Sequence, residues 1–502
     1  MSDISINELA SFCKKKGFVF PNSDIYGGIG GFFDLGPLGV ELKNNIKSHY
    51  WNDLVRKKDF MVGIDGSIIT HPKVWKASGH VDNFFDYQVS CDKCKNSFRA
   101  DSLIEEILGI DADGLAPIEM EEIIKKNKIV CPKCKGSLGK PVAYSLMFST
   151  NVGAGETGMI SYLRPETAQS IFVNFKNVVD SQRLKLPFGI AQIGKAFRNE
   201  ISPRNFLFRL REIEQIEIEF FAHPKKIDEC PYFDKIKDFE LLFLARENQS
   251  HDAKSKKEMK VKIKDLLKRS NPWQLYWLYE VYSWYVRYGV KEANLRVREH
   301  LKDELAHYAK SCFDIDYKFS FGWKEICGNA DRGNFDLSQH AKFSKAKFEI
   351  FDEESKEKVM PVVVSEPSFG VERAILTILS DAYEYDSERE NVVLHFSPKL
   401  APVKFGVFPL IKDEKLIRVA KGIYEALNQR YNVFYDEGGS IGRRYSRQDE
   451  IGTPFCITAD FESLEDGCVT IRDRDSKLQQ RFVFKNIRNI CEALLYGEIK
   501  IK

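Results

Sequence analysis

The chain has 502 residues, enough for about two to four domains, and it is 43% hydrophobic and 29% charged, as ordinary globular proteins are. Its 75 lysines and arginines nearly balance 73 aspartates and glutamates, which gives a formal net charge of +2. This balance excludes a global basic field, so a polyanionic partner must be met by local patches.

The N-terminus, "MSDISINELASFCKKKGF", lacks the apolar run of a signal peptide, and no stretch approaches the length of a membrane span. The cysteines number 11, an odd count, and four of them form two CxxC pairs. This pattern suits a reducing compartment better than a disulfide framework. We therefore expect a cytoplasmic protein with no membrane partner.

The first predicted elements are a helix over 36–56, with apolar residues recurring every four positions, and an insertion over 87–140. The insertion is bracketed by Cys91, Cys94, Cys131 and Cys134. Four thiolates in two CxxC pairs are the ligands of a tetrahedral structural Zn²⁺. The alternative is that the four cysteines are reduced and free of metal.

A β-hairpin is predicted at "FRNEISPRNFLFRLREIEQIEIEFF" (197–221), with its turn at Pro203 and Asn205. Because side chains alternate along a strand, Arg209, Ile213 and Glu217 share one face, while Ile216, Ile218 and Phe220 face a core. The polar face is either a solvated surface with cross-strand ion pairs or a functional site.

Three further regions follow. Residues 223–320 are predicted to be a largely helical insertion. The stretch 361–381 predicts a buried strand, a tight turn and a helix with Arg373 in its first turn, where a helix favours anions. From about 401 to 502, strands alternate with helices, which is typical of a small α/β domain.

The hairpin and the "GVERAIL" segment resemble motifs 2 and 3 of the class II aminoacyl-tRNA synthetases, and the helix from Gly36 lies where motif 1 would lie. Within that class, the chain resembles the homodimeric glycyl-tRNA synthetases. The resemblance rests on segments such as "LRPETAQSIF", "GWKEICGNADRGNFDL", "SEPSFGVER" and "GGSIGRRYSRQDEIG", and it runs from residue 26 to about 475.

The resemblance implies an α+β fold. A catalytic domain (1–400, including both insertions) would be built on a mostly antiparallel sheet flanked by helices, and an α/β anticodon-binding domain would follow (401–502). It also implies a homodimer that uses ATP, glycine and tRNA(Gly).

The implied chemistry has two steps. The carboxylate of glycine attacks the α-phosphorus of ATP, and a ribose hydroxyl at the 3′ end of tRNA then attacks the glycyl-adenylate. Such an enzyme positions its substrates and stabilises charge, which calls for arginines and Mg²⁺. Arg198 and Arg373 would be catalytic, and Glu325 would help hold Mg²⁺. The residues implied for ATP are Arg198, Asn199, Glu200, Phe208, Arg209, Ile213, Glu325, Ile326, Gly370 and Arg373.

Glycine offers an ammonium and a carboxylate, so its selection needs anionic partners. By resemblance, these are Glu166, Glu217 and Glu366. The other residues implied for glycine are Arg99, Arg332 and Ser368. Taken one at a time, each acid is better explained by a surface salt bridge, and it is the occurrence of three acids in three family-like motifs that favours the pocket.

Two rival functions share the resemblance: a nucleic-acid-binding relative that charges no tRNA, and a class IIa synthetase for another amino acid. Arg198, Glu200, Glu217 and Arg373 argue against the first, and "SEPSFGVER" and "RPET" argue against the second. In the C-terminal domain, Arg443, Arg444 and Arg447 either contact RNA or pair internally.

Overall fold

The computed structural model describes residues 4–502 except 111, 113, 156–157, 250–256, 303 and 306–308. Within that part of the chain, no helix combines the length and the apolar character needed to cross a bilayer.

Helices and strands are numbered in chain order. The helices are α1 (Ile6–Lys16), α2 (Pro37–Trp51), α3 (Pro72–Ala77), α4 (His80–Asn83), α5 (Ala100–Leu108), α6 (Pro117–Lys126), α7 (Ala168–Gln182), α8 (Phe233–Ile236), α9 (Pro272–Arg287), α10 (Phe335–Ser344), α11 (Val371–Ala382), α12 (Glu414–Asn428), α13 (Ile441–Ile451), α14 (Ser463–Asp466) and α15 (Ile487–Tyr496).

The strands are β1 (Val19–Pro21), β2 (Phe33–Leu35), β3 (Met61–Ile64), β4 (Phe85–Ser90), β5 (Ser97–Arg99), β6 (Val142–Ser145), β7 (Ser149–Val152), β8 (Met159–Tyr162), β9 (Phe188–Phe197), β10 (Glu212–Ala222), β11 (Glu240–Leu244), β12 (Met259–Lys262), β13 (Leu295–Glu299), β14 (Ser311–Phe319), β15 (Gly322–Asp331), β16 (Ile350–Asp352), β17 (Glu357–Val359), β18 (Val362–Gly370), β19 (Tyr383–Asp386), β20 (Asn391–Leu394), β21 (Phe405–Pro409), β22 (Val433–Tyr435), β23 (Phe455–Ala459), β24 (Cys468–Asp473) and β25 (Gln479–Val483).

The main sheet has nine strands in the order β12-β11-β13-β14-β15-β18-β10-β9-β3. Its pairings are antiparallel except β11 with β13 and β3 with β9, which are parallel. The expected mostly antiparallel sheet is therefore confirmed. The hairpin predicted from the sequence is the β9–β10 pair near the β3 edge of this sheet. Its first strand covers Phe188–Phe197, so residues 198–211, part of which was predicted as strand, form the connection.

The prediction that 223–320 is largely helical is wrong. In the described part of that segment, α9 is the one long helix, whereas β11, β12, β13 and β14 add four strands to the main sheet. β11 is a short apolar run, "ELLFL", whose pattern alone cannot distinguish strand from helix.

The two faces of β10 have different surroundings. Ile216, Ile218 and Phe220 are buried in the larger core with α2, α9 and α11, and the aromatic side chains of α9 belong to the same core. Phe221 lies on the opposite face, in a second apolar cluster formed mainly by α7. The polar residues of β10 on the same face as Phe221 belong to the site described below.

Residues 85–145 form a separate small unit. β4 pairs with β5 and β6, and α5 and α6 cover this sheet around Val89, Ile104 and Met120. The C-terminal residues form a mixed five-stranded sheet in the order β22-β21-β23-β24-β25, with its own core against α12 and α15. The expected α/β architecture is confirmed there.

Candidate active site

A cavity of about 130 Å³ lies between the β9–β10 hairpin and the β18–α11 junction. Most of the residues implied for ATP line it. These are Arg198, Glu200, Phe208, Arg209, Ile213, Glu325, Gly370 and Arg373.

The turn of the hairpin places its cations at one end of the cavity. Asn205 and Phe206 adopt positive φ of 58° and 55°, which reverses the chain between the two strands. An N-terminal loop supports the turn, because Arg211 donates from its backbone N to the Gly31 carbonyl (2.9 Å). A Cβ at Gly31 would lie 2.8 Å from Cβ of Pro203, so this close approach requires glycine.

Two arginines enter the cavity from opposite elements. Arg198 follows β9, donates from Nε to the Pro165 carbonyl (3.0 Å) and has its guanidinium 5.7 Å from the ring of Phe84. Arg373 lies in the first turn of α11, with its guanidinium 4.5 Å from the ring of Phe208 and Nη1 3.3 Å from Oε1 of Glu325. These contacts fix both cations before any anion binds.

The remaining residues implied for ATP have different surroundings, and not all of their side chains line the cavity. Ile213 is half-buried and lines the cavity. Arg209 Nε lies 3.9 Å from Oε2 of Glu200. Asn199 donates to the Tyr144 hydroxyl (2.7 Å), and the side chain of Ile326 is fully buried in the core. For Ile326, only the backbone is available to a ligand.

A cluster of buried carboxylates adjoins this cavity, and Ser368 joins the two. Ser368 lines the cavity and donates to Oε1 of Glu217 (2.8 Å). Arg332 donates to Oε1 of Glu366 and, through Nε, to Asp336 (2.9 Å). The structure thus brings Glu217, Glu366, Arg332 and Ser368 together. Glu166 belongs to the same cluster, because it interacts electrostatically with Glu217 and Arg332.

Burial and crowding make this cluster favour a cation. Burial and Glu166 raise the pKa of Glu217, and burial raises the pKa of Glu366 to about 8, with Arg332 opposing the shift. Burial also works against the ionised form of Glu166, yet His80 and Arg332 hold its pKa well below its usual value. An ammonium ion would relieve the repulsion among these acids.

Four residues of the cluster were not predicted. Thr167 donates from its backbone N (2.9 Å) and its hydroxyl to Oε2 of Glu217. His80 Nε2 lies 3.3 Å from Oε2 of Glu166. Asp336 orients Arg332, and Glu219 is fully buried beside the cluster.

The sequence carried signals for three of these residues. Thr167 is adjacent to Glu166 in "RPET", Asp336 follows Arg332 by four residues at a helix start, and Glu219 is two residues after Glu217 in a strand. His80 is distant in the chain from every motif and gave no local signal.

Arg99 does not share the hydrogen bonds described for the carboxylate cluster. It lies in an outer cavity of about 510 Å³, which also contains Arg209, Glu325 and Arg373. Its guanidinium pairs with Asp101 (2.5 Å) and Asp86 (3.1 Å). A role for Arg99 in glycine binding stays a prediction.

The four cysteines of 85–145 form two matching turns. Their sulfurs all lie within 4.8 Å of one another, with Cys91 and Cys134 at 3.4 Å and Cys94 and Cys131 at 3.6 Å. A tetrahedron with about 2.3 Å Zn–S bonds has edges of about 3.8 Å, so the arrangement fits zinc. Hydrogen bonds from Asn96 lower the pKa of Cys94 to about 6, whereas the Gly136 backbone hydrogen bond to Cys134 is outweighed by the neighbouring sulfurs, which raise the pKa of Cys134 to about 12.

In the C-terminal unit, the structure decides the role of one arginine. Arg444 is buried and donates to the carbonyls of Pro409 (2.6 Å) and Leu410 (2.9 Å). Arg447 pairs with Asp436 (3.1 Å), while the side chain of Arg443 is exposed. Arg444 is therefore structural and is not available to RNA.

Two family models match the chain. "tRNA synthetase class II core domain (G, H, P, S and T)" matches residues 156–382, which contain most of the residues of both the cavity and the carboxylate cluster. "Anticodon binding domain" matches residues 402–494.

Relatives match over nearly the whole chain. The chain is 44% identical to glycine–tRNA ligase of Geobacillus kaustophilus, covering 97% of this chain and 98% of that protein. It is 43% identical to glycine–tRNA ligase of Borreliella burgdorferi, with 99% of each chain covered. The solved structure of prolyl-tRNA synthetase from Cryptosporidium parvum, in complex with L-proline and AMP, has a TM-score of 0.54 at 12% identity, covering 98% of this chain and 76% of that one, and it shows the fold alone. The chain therefore belongs to the glycine–tRNA ligase family of class II aminoacyl-tRNA synthetases.

Proposed function

We propose that this enzyme activates glycine with ATP to glycyl-adenylate and then transfers the glycyl group to the 3′-terminal adenosine of tRNA(Gly). The observation that carries the proposal is the junction at Ser368 between a cavity that contains three arginines and a cluster of buried carboxylates. Arg198, Arg209 and Arg373 line the cavity, and Ser368, which also lines it, donates to Glu217 of the cluster. A reaction between an amino acid and a nucleoside triphosphate needs both compartments side by side.

The cavity serves ATP. Arg198 holds the α-phosphate at the reacting centre, while Arg209 and Arg373 hold the terminal phosphates. Because the backbone already holds Arg198 and Arg373, they stabilise developing charge without first being ordered. Glu200 and Ile213 face the adenine, together with the backbone at Asn199 and Ile326.

The family uses ATP with Mg²⁺, and the cavity offers a carboxylate for the ion. Glu325 keeps 44% of its side chain exposed next to Arg373, as expected of a carboxylate that shares a metal with phosphates. The ion would supply charge neutralisation on the phosphate oxygens. Glu325 would hold it from the protein side.

The carboxylate cluster serves glycine. Glu166, Glu217 and Glu366 surround the ammonium, Arg332 orients Glu366, and Ser368 lies at the entrance. Thr167 fixes Glu217 so that the carboxylate does not need to reorganise when glycine binds. Since every competing amino acid is larger than glycine, steric exclusion supports selection here.

The remaining assignments extend this function. Residues 1–400 form the catalytic domain, and residues 401–502 bind the anticodon, which the "anticodon binding domain" match over 402–494 supports. Cys91, Cys94, Cys131 and Cys134 hold a structural Zn²⁺, which their spacing supports. The protein acts in the cytoplasm, where tRNA is charged for translation.

The enzyme is a homodimer. The exposed apolar side chains of Ile25 (87%), Tyr26 (87%) and Ile29 (56%), close together in one N-terminal loop, support a covered surface there. Light scattering coupled to gel filtration should give twice the 57.9 kDa chain mass.

ATP–pyrophosphate exchange with each of the twenty amino acids tests the proposed function. Glycine alone should support exchange, without tRNA. Exchange with serine or threonine at a rate comparable to glycine would refute the specificity, and no exchange at all would refute the activity.

A further inference from the structure

Glu219 is a buried carboxyl that the proposed mechanism does not use. It lies on β10 two residues after Glu217, so the two side chains share a face of the strand. It is fully buried, and neither of its oxygens has a hydrogen-bond partner in the part of the chain that the structure describes. The next residue on this face, Phe221, already belongs to the apolar cluster against α7.

The register of the main sheet gives Glu219 a specific neighbour. Since Glu217 pairs with Ser368 and Phe220 with Ser365, the residue across from Glu219 on β18 is Glu366. Residues directly opposite in an antiparallel pair have Cβ atoms about 4.5–5.5 Å apart, within reach of two carboxyl groups. On its other side, Glu219 pairs with the apolar Ile190 of β9.

The charged groups around Glu219 determine its protonation. Burial and the Glu366 carboxyl raise the pKa of Glu219 well above its usual value, Glu217 and Asp336 add to this shift, and Arg332 opposes it. Arg332 already donates hydrogen bonds to Glu366 and Asp336. Full burial, the lack of a hydrogen-bond donor among the described residues and the position opposite Glu366 all favour the neutral carboxylic acid, which can donate a hydrogen bond.

An apolar side chain would fill this space at less cost. A buried polar group without a partner destabilises the folded state, and its desolvation is not offset. Its partner is therefore expected in another state of the site, and the complex with glycine is the state in which Glu366 must be ionised and fixed.

Building on the proposed function, we propose that Glu219 is a positioning residue, whose neutral carboxyl donates a hydrogen bond to the Glu366 carboxylate and so orients it towards the ammonium group of the bound amino acid. Arg332 holds Oε1 of Glu366, and Glu219 restrains the same carboxylate from the strand next to it. The proton stays on Glu219 throughout.

Three variants separate hydrogen bonding from charge and packing. Glu219→Gln keeps a donor without charge, Glu219→Met is apolar and similar in length, and Ile190→Val is a packing control on the neighbouring strand. We expect Glu219→Gln to keep the KM for glycine within about threefold in ATP–pyrophosphate exchange. Glu219→Met should raise that KM about tenfold or more with the KM for ATP unchanged, as expected for a lost hydrogen bond to a charged group.

The thermal unfolding midpoint provides a second readout. Because Glu219→Met removes an unpartnered polar group, its midpoint should equal or exceed that of the wild type, so the loss of glycine affinity is not a loss of folding. Glu219→Leu, measured in the same way, gives a second apolar variant. Ile190→Val should keep both KM values.

The outcomes are distinct. A KM for glycine within twofold of the wild type in both apolar variants would overturn the inference. A KM for glycine raised as much in Glu219→Gln as in Glu219→Met would also overturn it, since that result would mean that Glu219 acts as an ionised group. An equal rise of this KM in Ile190→Val would overturn it too, because packing alone would then explain the effect. Wild-type enzyme without glycine-dependent exchange refutes the proposed function instead, and it does so before any variant is compared.

Discussion

Arg198 is a side chain that the fold holds in place at the wall of the cavity. Its Nε is held by the Pro165 carbonyl, which leaves the rest of the guanidinium directed at the cavity. We expect Arg198→Ala to lower the rate of adenylate formation by about 10²–10³, the scale for losing one preorganised charge contact. Pre-steady-state adenylate formation measures this directly.

Arg418→Ala is the matched control, because Arg418 is an exposed arginine on a helix. The rate of adenylate formation should not change in this variant. The folded state of Arg198→Ala should be retained, because the residue faces the cavity and not the core. A rate within a few-fold of the wild type would remove Arg198 from the chemistry.

Motif 2 of the class II synthetases, which the hairpin resembles, carries an aromatic ring at the position of Ile213, and Ile213 lines the cavity. Isoleucine covers a base by apolar contact but lacks a flat π-face, a difference of about 0.5–1.5 kcal/mol on the scale of aromatic pairs. We therefore expect Ile213→Phe to lower the KM for ATP several-fold and to leave the KM for glycine nearly unchanged. Ile213→Leu, which conserves volume, serves as the control, and an unchanged or raised ATP KM in Ile213→Phe would contradict the placement.

Glu366 should give the proposed glycine site a pH dependence. Because its pKa is raised to about 8, the carboxyl is largely protonated at pH 7 and ionises as the pH rises through 8. An ionised Glu366 attracts the ammonium of glycine, so the KM for glycine should fall between pH 7 and 9. Steady-state exchange across this range measures the trend.

Glu366→Gln should raise the KM for glycine and flatten its dependence on pH. A profile of the same slope in the variant would assign the titration to another group.

At the scale of elements, the hairpin was the most predictable part of the molecule. Two-residue alternation assigned Ile216, Ile218 and Phe220 to the core, and residues of the opposite face line the candidate site. The partners of those charges were harder to predict. His80 and Glu166 are 86 positions apart in sequence, and no local pattern links residues that meet only after the sheet has formed.

The prediction for 223–320 missed its strands for a related reason. β11 and β13 are five residues each, and they become strands because they extend an existing sheet. Local propensity carries little of that information, since tertiary pairing decides the outcome.

The cysteine turns bring four sulfurs to the spacing of a metal site within a small element of the fold. The sheet of β4, β5 and β6 with α5 and α6 buries few apolar side chains, so a metal that joins its two ends should contribute much of its stability. We expect about one zinc per chain by metal analysis. Cys131→Ser should lose it and lower the thermal unfolding midpoint by several degrees.

Cys468→Ser, outside the cluster, should keep both the zinc and the midpoint. Purified protein without zinc, prepared in the absence of chelators, would favour four reduced thiols.

At the scale of the whole molecule, the two main cores suggest that the two reaction steps can be separated. The larger core ends at Ala401, and the C-terminal core begins at Phe405. Deletion of the residues after Ala401 should leave ATP–pyrophosphate exchange with free glycine within several-fold of the wild type. Charging of tRNA should fall by at least about 100-fold, because anticodon binding is lost.

Circular dichroism and gel filtration check that the truncated protein is folded. A folded truncation without exchange would show that adenylate formation needs the C-terminal unit.

The contact between the two units gives the "GRRYSRQDEIG" segment a different meaning. Asp449 accepts from Arg472 and from Arg389, which lies between β19 and β20, and a Cβ on Gly452 would lie 2.4 Å from the ring of Phe396. The segment therefore forms a joint, that is, a contact surface between the two units, and its side chains must match those of the unit that it contacts. Chimeric enzymes that exchange C-terminal domains to redirect tRNA choice should assemble only when both sides of this joint come from the same parent.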